Sequence, residues 1–160
     1  RPHKDGIVIA YPDHPPTTAI EIFENEKPIL VEKKEFVIDT AGAGRYRGGH
    51  GQVFAFKVQG EHEVRLAMRA DRTEHPPLGF EGGSSGSCGV AVLNRSQNLH
   101  PKRTIFLKPG DHVMLQTPGG GGFYSPSKRH LEAIERDIED EVLSIDKARE
   151  SYGYSEGNND

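Results

Sequence analysis

The chain has 160 residues, enough for one domain with a real core, and its 34% hydrophobic and 28% charged content excludes a disordered polymer. A formal net charge of −4 gives no general attraction to nucleic acid or anionic lipid, so nucleic acid is not an expected partner and recognition must be local. Apolar runs such as residues 7–10 and 89–93 are too short to cross a membrane, and the single cysteine, Cys88, excludes an internal disulfide and fits a reducing cytoplasm.

The chain opens on Arg1 rather than methionine and reads as an excised piece of a longer protein. Residues 1–16, with "YPDHPP" at 11–16, hold too many breakers for a long element and read as an extended approach segment. Residues 18–38 predict two strands, rich in β-branched and aromatic residues and broken at 24–28. After the glycine-rich stretch 39–51, "QVFAFKV" (52–58) is a strand with both faces partly buried. In "EVRLAMR" (63–69), Val64, Leu66 and Met68 share one face while Glu63, Arg65 and Arg69 share the other, and the two segments predict a hairpin.

Residues 70–97 are loop-rich, but Leu78, Phe80, Val90, Val92 and Leu93 predict that they pack down, with one short strand at 90–93. "RTIFLKPGDHVMLQ" (103–116) predicts a second hairpin turned at Pro109, Gly110 and Asp111. Helical signal is confined to the end. Ser125 is placed as an N-cap with Pro126 at the first helical position, and Leu131, Ile134, Ile138 and Val142 recur at helical spacing. Ser144 is the predicted cap of a second helix over 145–152, ended by Gly153, and residues 154–160 form a disordered tail. The fold class is therefore mainly β, antiparallel and sandwich-like, with long glycine-rich loops and one or two C-terminal helices.

Gly119, Gly120, Gly121 and Gly122 sit between a strand and a helix, where backbone amides can cradle an anion. The lysine and hydroxyl of a P-loop are missing, however, and Phe123 and Tyr124 follow instead. The alternative is that these positions need a conformation or a close backbone approach that only glycine allows. "GRYRGG" (44–49) resembles an arginine–glycine box, yet as one copy in an acidic chain it points away from RNA; Arg45 and Arg47 can instead pair with carboxylates or fork onto an anion. The eight histidines show no metal-ligand spacing, Cys88 has no base assigned to it, and Asp71 and Arg72 read as ordinary ion-pair partners.

Four blocks in order carry a more specific signal: residues 31–56 ("VEKKEFVIDTAGAGRYRGGHGQVFAF"), 69–83 ("RADRTEHPPLGFEGG"), 107–126 ("LKPGDHVMLQTPGGGGFYSP") and 137–153 ("DIEDEVLSIDKARESYG"). Together they resemble the C-terminal part of the hydantoinase B/oxoprolinase family, over about residues 17–153. The chain departs from the pattern in lacking the family's long N-terminal majority. It also has Thr40, Ala41 and Gly42 where many members have serine–glycine–glycine, and Tyr124 where a small residue is common.

The resemblance implies part of an ATP-dependent hydrolase of cyclic amides such as hydantoin or 5-oxoproline, with a ketone-carboxylating relative. An A-type partner would bind ATP and Mg, and the remainder of the B-type subunit would complete the active site and hold any metal upstream; this piece would have no cofactor and no activity alone. Arg45, Arg47, Gly48, Gly49, Gly119, Gly120, Gly121 and Gly122 are then expected in loops facing the substrate or the rest of the enzyme. No catalytic residue and no metal ligand is carried over. The alternative is a non-catalytic β-rich binding domain.

Overall fold

The computed structural model describes residues 4–6 and 19–155. Most of the approach segment and residues 156–160 of the expected tail lie outside the described residues. Antiparallel pairing dominates. The larger sheet has the order β1-β2-β7-β4-β5, formed by β1 (Ile29–Phe36), β2 (Gln52–Val58), β4 (Val90–Leu93), β5 (Gln97–Asn98) and β7 (His112–Gln116). The smaller pairs β3 (Val64–Ala67) with β6 (Thr104–Leu107).

The predicted strands from residue 29 onward form, but neither predicted hairpin does. β2 pairs with β7 and β3 with β6, so residues 52–67 and 104–116 make one long antiparallel ribbon bent between the two sheets. The turns at 59–62 and 108–111 are its corners, held together by Val58 N–H donating to Asp111 O (2.8 Å) and Gly110 N–H donating to Val58 O (2.9 Å). Gly110, at φ +88°, serves a corner as readily as a hairpin, so turn chemistry alone did not distinguish them. The bend folds both sheets around one core of Ile29, Phe56, Val58, Met68, Ala91, Leu99, Leu107 and Val113.

The first strand expected in 18–38 is instead a helix, α1 (Ile20–Glu26). Tertiary contact overrides the alternating pattern. Ile22 points outward at 54% exposure, whereas Phe23 packs edge-on against Phe54, their centroids 6.0 Å apart. Glu24 then accepts the Val31 N–H at 2.6 Å, which ties α1 to the edge strand β1.

The expected helix from Ser125 is divided. Pro126–Lys128 is one 3₁₀ turn, and α2 (Leu131–Glu139) starts anew after Arg129, whose extended backbone carries its side chain inward. Ser125 makes no capping bond to the backbone. The α2 stripe buries Ile134, with Val142 just beyond the helix, but leaves Leu131 half-exposed. The second cap matches its expectation: Ser144 Oγ accepts from Lys147 N–H (3.1 Å) to open α3 (Ile145–Tyr152), and Gly153 closes it at φ +69°. Among the described residues no helix is long and apolar enough to cross a membrane.

Candidate functional site: a glycine sheaf over buried charges

Three stretches distant in sequence, residues 40–49, 78–87 and 117–124, lie side by side and exchange backbone hydrogen bonds outside the named strands. Gly42 N–H donates to Gly120 O (2.8 Å), Gly120 N–H to Gly49 O (2.8 Å), Gly122 N–H to Ser84 O (2.8 Å), Ser84 N–H to Ala43 O (2.7 Å) and Phe80 N–H to Gly122 O (2.9 Å).

The four-glycine run follows from this packing. A Cβ at Gly119 would collide with the Thr40 carbonyl and one at Gly122 with the Ala43 carbonyl, whereas Gly121 faces the Leu78 carbonyl and Gly120 the Gly49 amide. Gly119 and Gly122, three apart, thus face residues 40–43, Gly120 faces residues 48 and 49 of the same loop, and Gly121 faces the third stretch, so successive positions point in three directions as in a threefold chain. None of the four has positive φ, so close approach is the constraint. The amides of Gly119, Gly120 and Gly122 already donate to Ser87, Gly49 and Ser84, which leaves the run no phosphate cradle. Aromatic rings line one border: Phe80 stacks on Phe123 (5.8 Å, 10°), and Tyr46 lies 6.4 Å from Phe123 on centroids.

Beneath the sheaf are paired charges. Arg129, its side chain 1% exposed, donates to Asp137 Oδ2 (2.7 Å) and to both oxygens of Asp5 (2.7 and 3.0 Å). Arg47 Nε donates to both Asp137 oxygens at 3.0 Å, and its backbone N–H donates to Asp5 (2.8 Å). The cluster therefore ties together residues 4–6, the first glycine loop, the 3₁₀ turn and α2. Two cations and two carboxylates balance, which is what lets such groups be buried. Burial pushes the Asp5 carboxyl up, but the hydrogen bonds and charge of Arg129, with Arg47, outweigh it and hold Asp5 below its ordinary value. For Arg129, burial is likewise outweighed, chiefly by Asp5, and its affinity for the proton rises.

His50 sits beside this cluster, 6% exposed, with neither ring nitrogen hydrogen-bonded among the described residues and its ring 6.4 Å from that of Phe36. Burial, reinforced by the charge of Arg47, pushes its imidazole below the ordinary 6.5, against the weaker pull of Asp137 and Asp5.

The structure thus brings Arg47, Gly48, Gly49 and Gly119–Gly122 into one unit and leaves Arg45 exposed, its guanidinium 5.5 Å over the Tyr46 ring. Sequence reasoning missed Arg129, Asp137 and Asp5, whose signal is only their distant pairing. It also missed the third glycine segment; there Gly83 and Gly86, three apart, face the backbone of Gly122 and Gly119, a spacing that could have revealed it. That loop was expected to pack down by its apolar side chains, yet Leu78 and Phe80 are 78% and 66% exposed and its order comes from backbone bonds. Asp71 pairs with Lys102 at the surface. Among the described residues no group of three or more His, Cys, Asp or Glu side chains is placed to hold a metal ion.

The sequence profile of a family described as hydantoinase B/oxoprolinase matches residues 1–126. Over 108 residues the chain is 35% identical to a 5-oxoprolinase of Saccharomyces cerevisiae, covering 64% of this chain and 8% of that protein. It is 27% identical over 142 residues to the caprolactamase subunit beta of Pseudomonas jessenii, covering 84% and 24% respectively. Two solved structures share the fold. The ATP-dependent caprolactamase of Pseudomonas jessenii superposes with a TM-score of 0.72 at 23% identity, over 89% of this chain and 26% of that one. Nucleotide-free acetone carboxylase gives 0.77 at 18% identity, over 94% and 25%. The chain spans about a quarter or less of the length of each of these relatives.

Two outcomes are expected. Gly119→Ala forces backbone apart where nothing flexible can yield, and should cost about 3 kcal/mol or more in urea unfolding, the upper range for overpacking. His50, with a folded value below its ordinary 6.5, takes its proton first in the unfolded chain, so the stability present above 6.5 is lost as pH falls. The urea midpoint should drop between about pH 7 and about pH 5, and His50→Gln should lose that part of the drop. Asp5 titrates below 3.8, outside this window.

Proposed function

The chain belongs to the hydantoinase B/oxoprolinase family, and from that premise we propose that it is the C-terminal framework of a B-type subunit in an ATP-dependent hydrolase of cyclic amides. The observation that carries the reading is the glycine sheaf, because it makes one rigid body of the glycine blocks at 42–49 and 119–122, both within the residues that the family profile matches.

An amide carbon resists attack because nitrogen donates into its carbonyl. Transfer of the ATP γ-phosphoryl group to the amide oxygen removes that protection; water then adds to the carbon, the C–N bond breaks with the ring nitrogen leaving as an amine, and a second water releases phosphate from the acyl phosphate that remains. In this proposal an A-type partner binds ATP and Mg and performs the transfer, and the rest of the B-type polypeptide supplies the groups that direct water. This region contributes a fixed wall. Arg45 and the loops at Gly48, Gly49 and Gly119–Gly122 face the substrate or the rest of the enzyme, while Arg47 holds its loop through Asp137.

The 160 residues alone, given ATP and Mg, should consume neither hydantoin, 5-oxoproline nor a lactam and release no ADP. Coexpression of the full subunit, read in frame upstream of Arg1, with an A-type partner should give ATP-dependent loss of one of them. ATP-dependent turnover by the isolated chain would refute the reading.

A further inference from the structure

An open groove of about 980 Å³ runs between the end of β1 and the α2–α3 connection. Phe36, Ile38, Val53, Met114, Val142 and Ile145 line it. Three of these side chains remain substantially in water: Phe36 at 52%, Ile38 at 47% and Ile145 at 37% exposure. Single exposed apolar residues need no explanation, but several converging in one concave site mark a surface that is covered in use.

We propose that this groove seats an apolar segment from the remainder of the B-type polypeptide, an inference that rests on the function proposed above. Two observations select that occupant. First, the chain matches only 24% of the caprolactamase subunit beta, so in a protein of that size about three times as much chain, 76% against 24%, lies outside this region and is available to cover it. Second, the charges at the rim do not balance. Lys33 and Glu35 neutralise each other at 2.6 Å, whereas Asp140 and Glu141, also lining the groove, are exposed and form no ion pair among the described residues. An apolar segment flanked by lysine or arginine matches both features. Charged side chains at Lys33, Lys34 and Glu35 on edge strand β1 discourage addition of another strand, so the segment binds through its side chains.

The test coexpresses the tagged 160-residue chain with the polypeptide encoded in frame upstream of Arg1 and measures their affinity. Ile38→Asp and Ile145→Asp, from opposite banks, should each weaken association by about tenfold or more. Phe106→Asp, a still more exposed apolar site outside the groove, should stay within about twofold; matching thermal melts of the isolated variants establish that each is folded. Wild-type affinity in both groove variants, or an equal loss in Phe106→Asp, overturns the groove and leaves the B-type reading standing. A wild-type chain that dimerises by itself and is made monomeric by Ile38→Asp overturns it in favour of a second copy. Failure of the wild-type chain to bind the upstream polypeptide overturns the B-type reading itself.

Discussion

Backbone can pack against backbone on several sides at once only where no Cβ intervenes, and the rest of this structure depends on that constraint. In the sheaf, residues 119–122 are surrounded by residues 40–49 and 78–87 at hydrogen-bonding distance. A β-strand has two neighbours in its sheet; a threefold chain of glycine can present amides and carbonyls in three directions. Glycine ordinarily costs more entropy to order than any other residue. Here the bonds that its absent side chain permits offset that cost, and they connect loops that otherwise have few apolar side chains with which to form a core.

The charge cluster complements the sheaf from below. Arg129 and Asp137 are almost fully buried, and their charges are paired only because loops from different parts of the chain converge on them, although the Arg129 Nε–H has no acceptor among the described residues. Removing either partner would leave an uncompensated buried charge, so the cluster selects one arrangement of residues 4–6, the 3₁₀ turn and α2 against alternatives. Tyr152 extends the arrangement into α3 by lying 5.8 Å beneath the Arg129 guanidinium. His50 is buried beside the cluster with neither ring nitrogen hydrogen-bonded among the described residues.

What was legible in the sequence was local. The period-2 patterns located β2 and β3, and Ser144 and Gly153 marked both ends of α3 because capping is set by residues within one turn. Partners were not legible. The turns beside Gly60 and Gly110 look like hairpin turns, and the strands they join belong to different sheets. α1 was read as a strand because its helical state depends on Phe23 meeting Phe54 and Glu24 meeting Val31. At the site, Gly119–Gly122 and Arg47 were conspicuous, but Asp137 lies 90 residues from Arg47 and gives no local sign of the pairing. The order of the four blocks, rather than any one of them, carried the resemblance, and the family profile matches the region of the first three.

In the role proposed for this region it keeps a wall still while the chemistry happens elsewhere, which requires the sheaf to be as cooperative as the sheets. Native-state amide exchange measures that directly. The amides of Gly42, Ser84, Gly120 and Gly122 should exchange only with global unfolding, as slowly as those of β2 and β7. Exchange of these amides at loop-like rates, while β2 and β7 stay protected, would contradict that cooperativity.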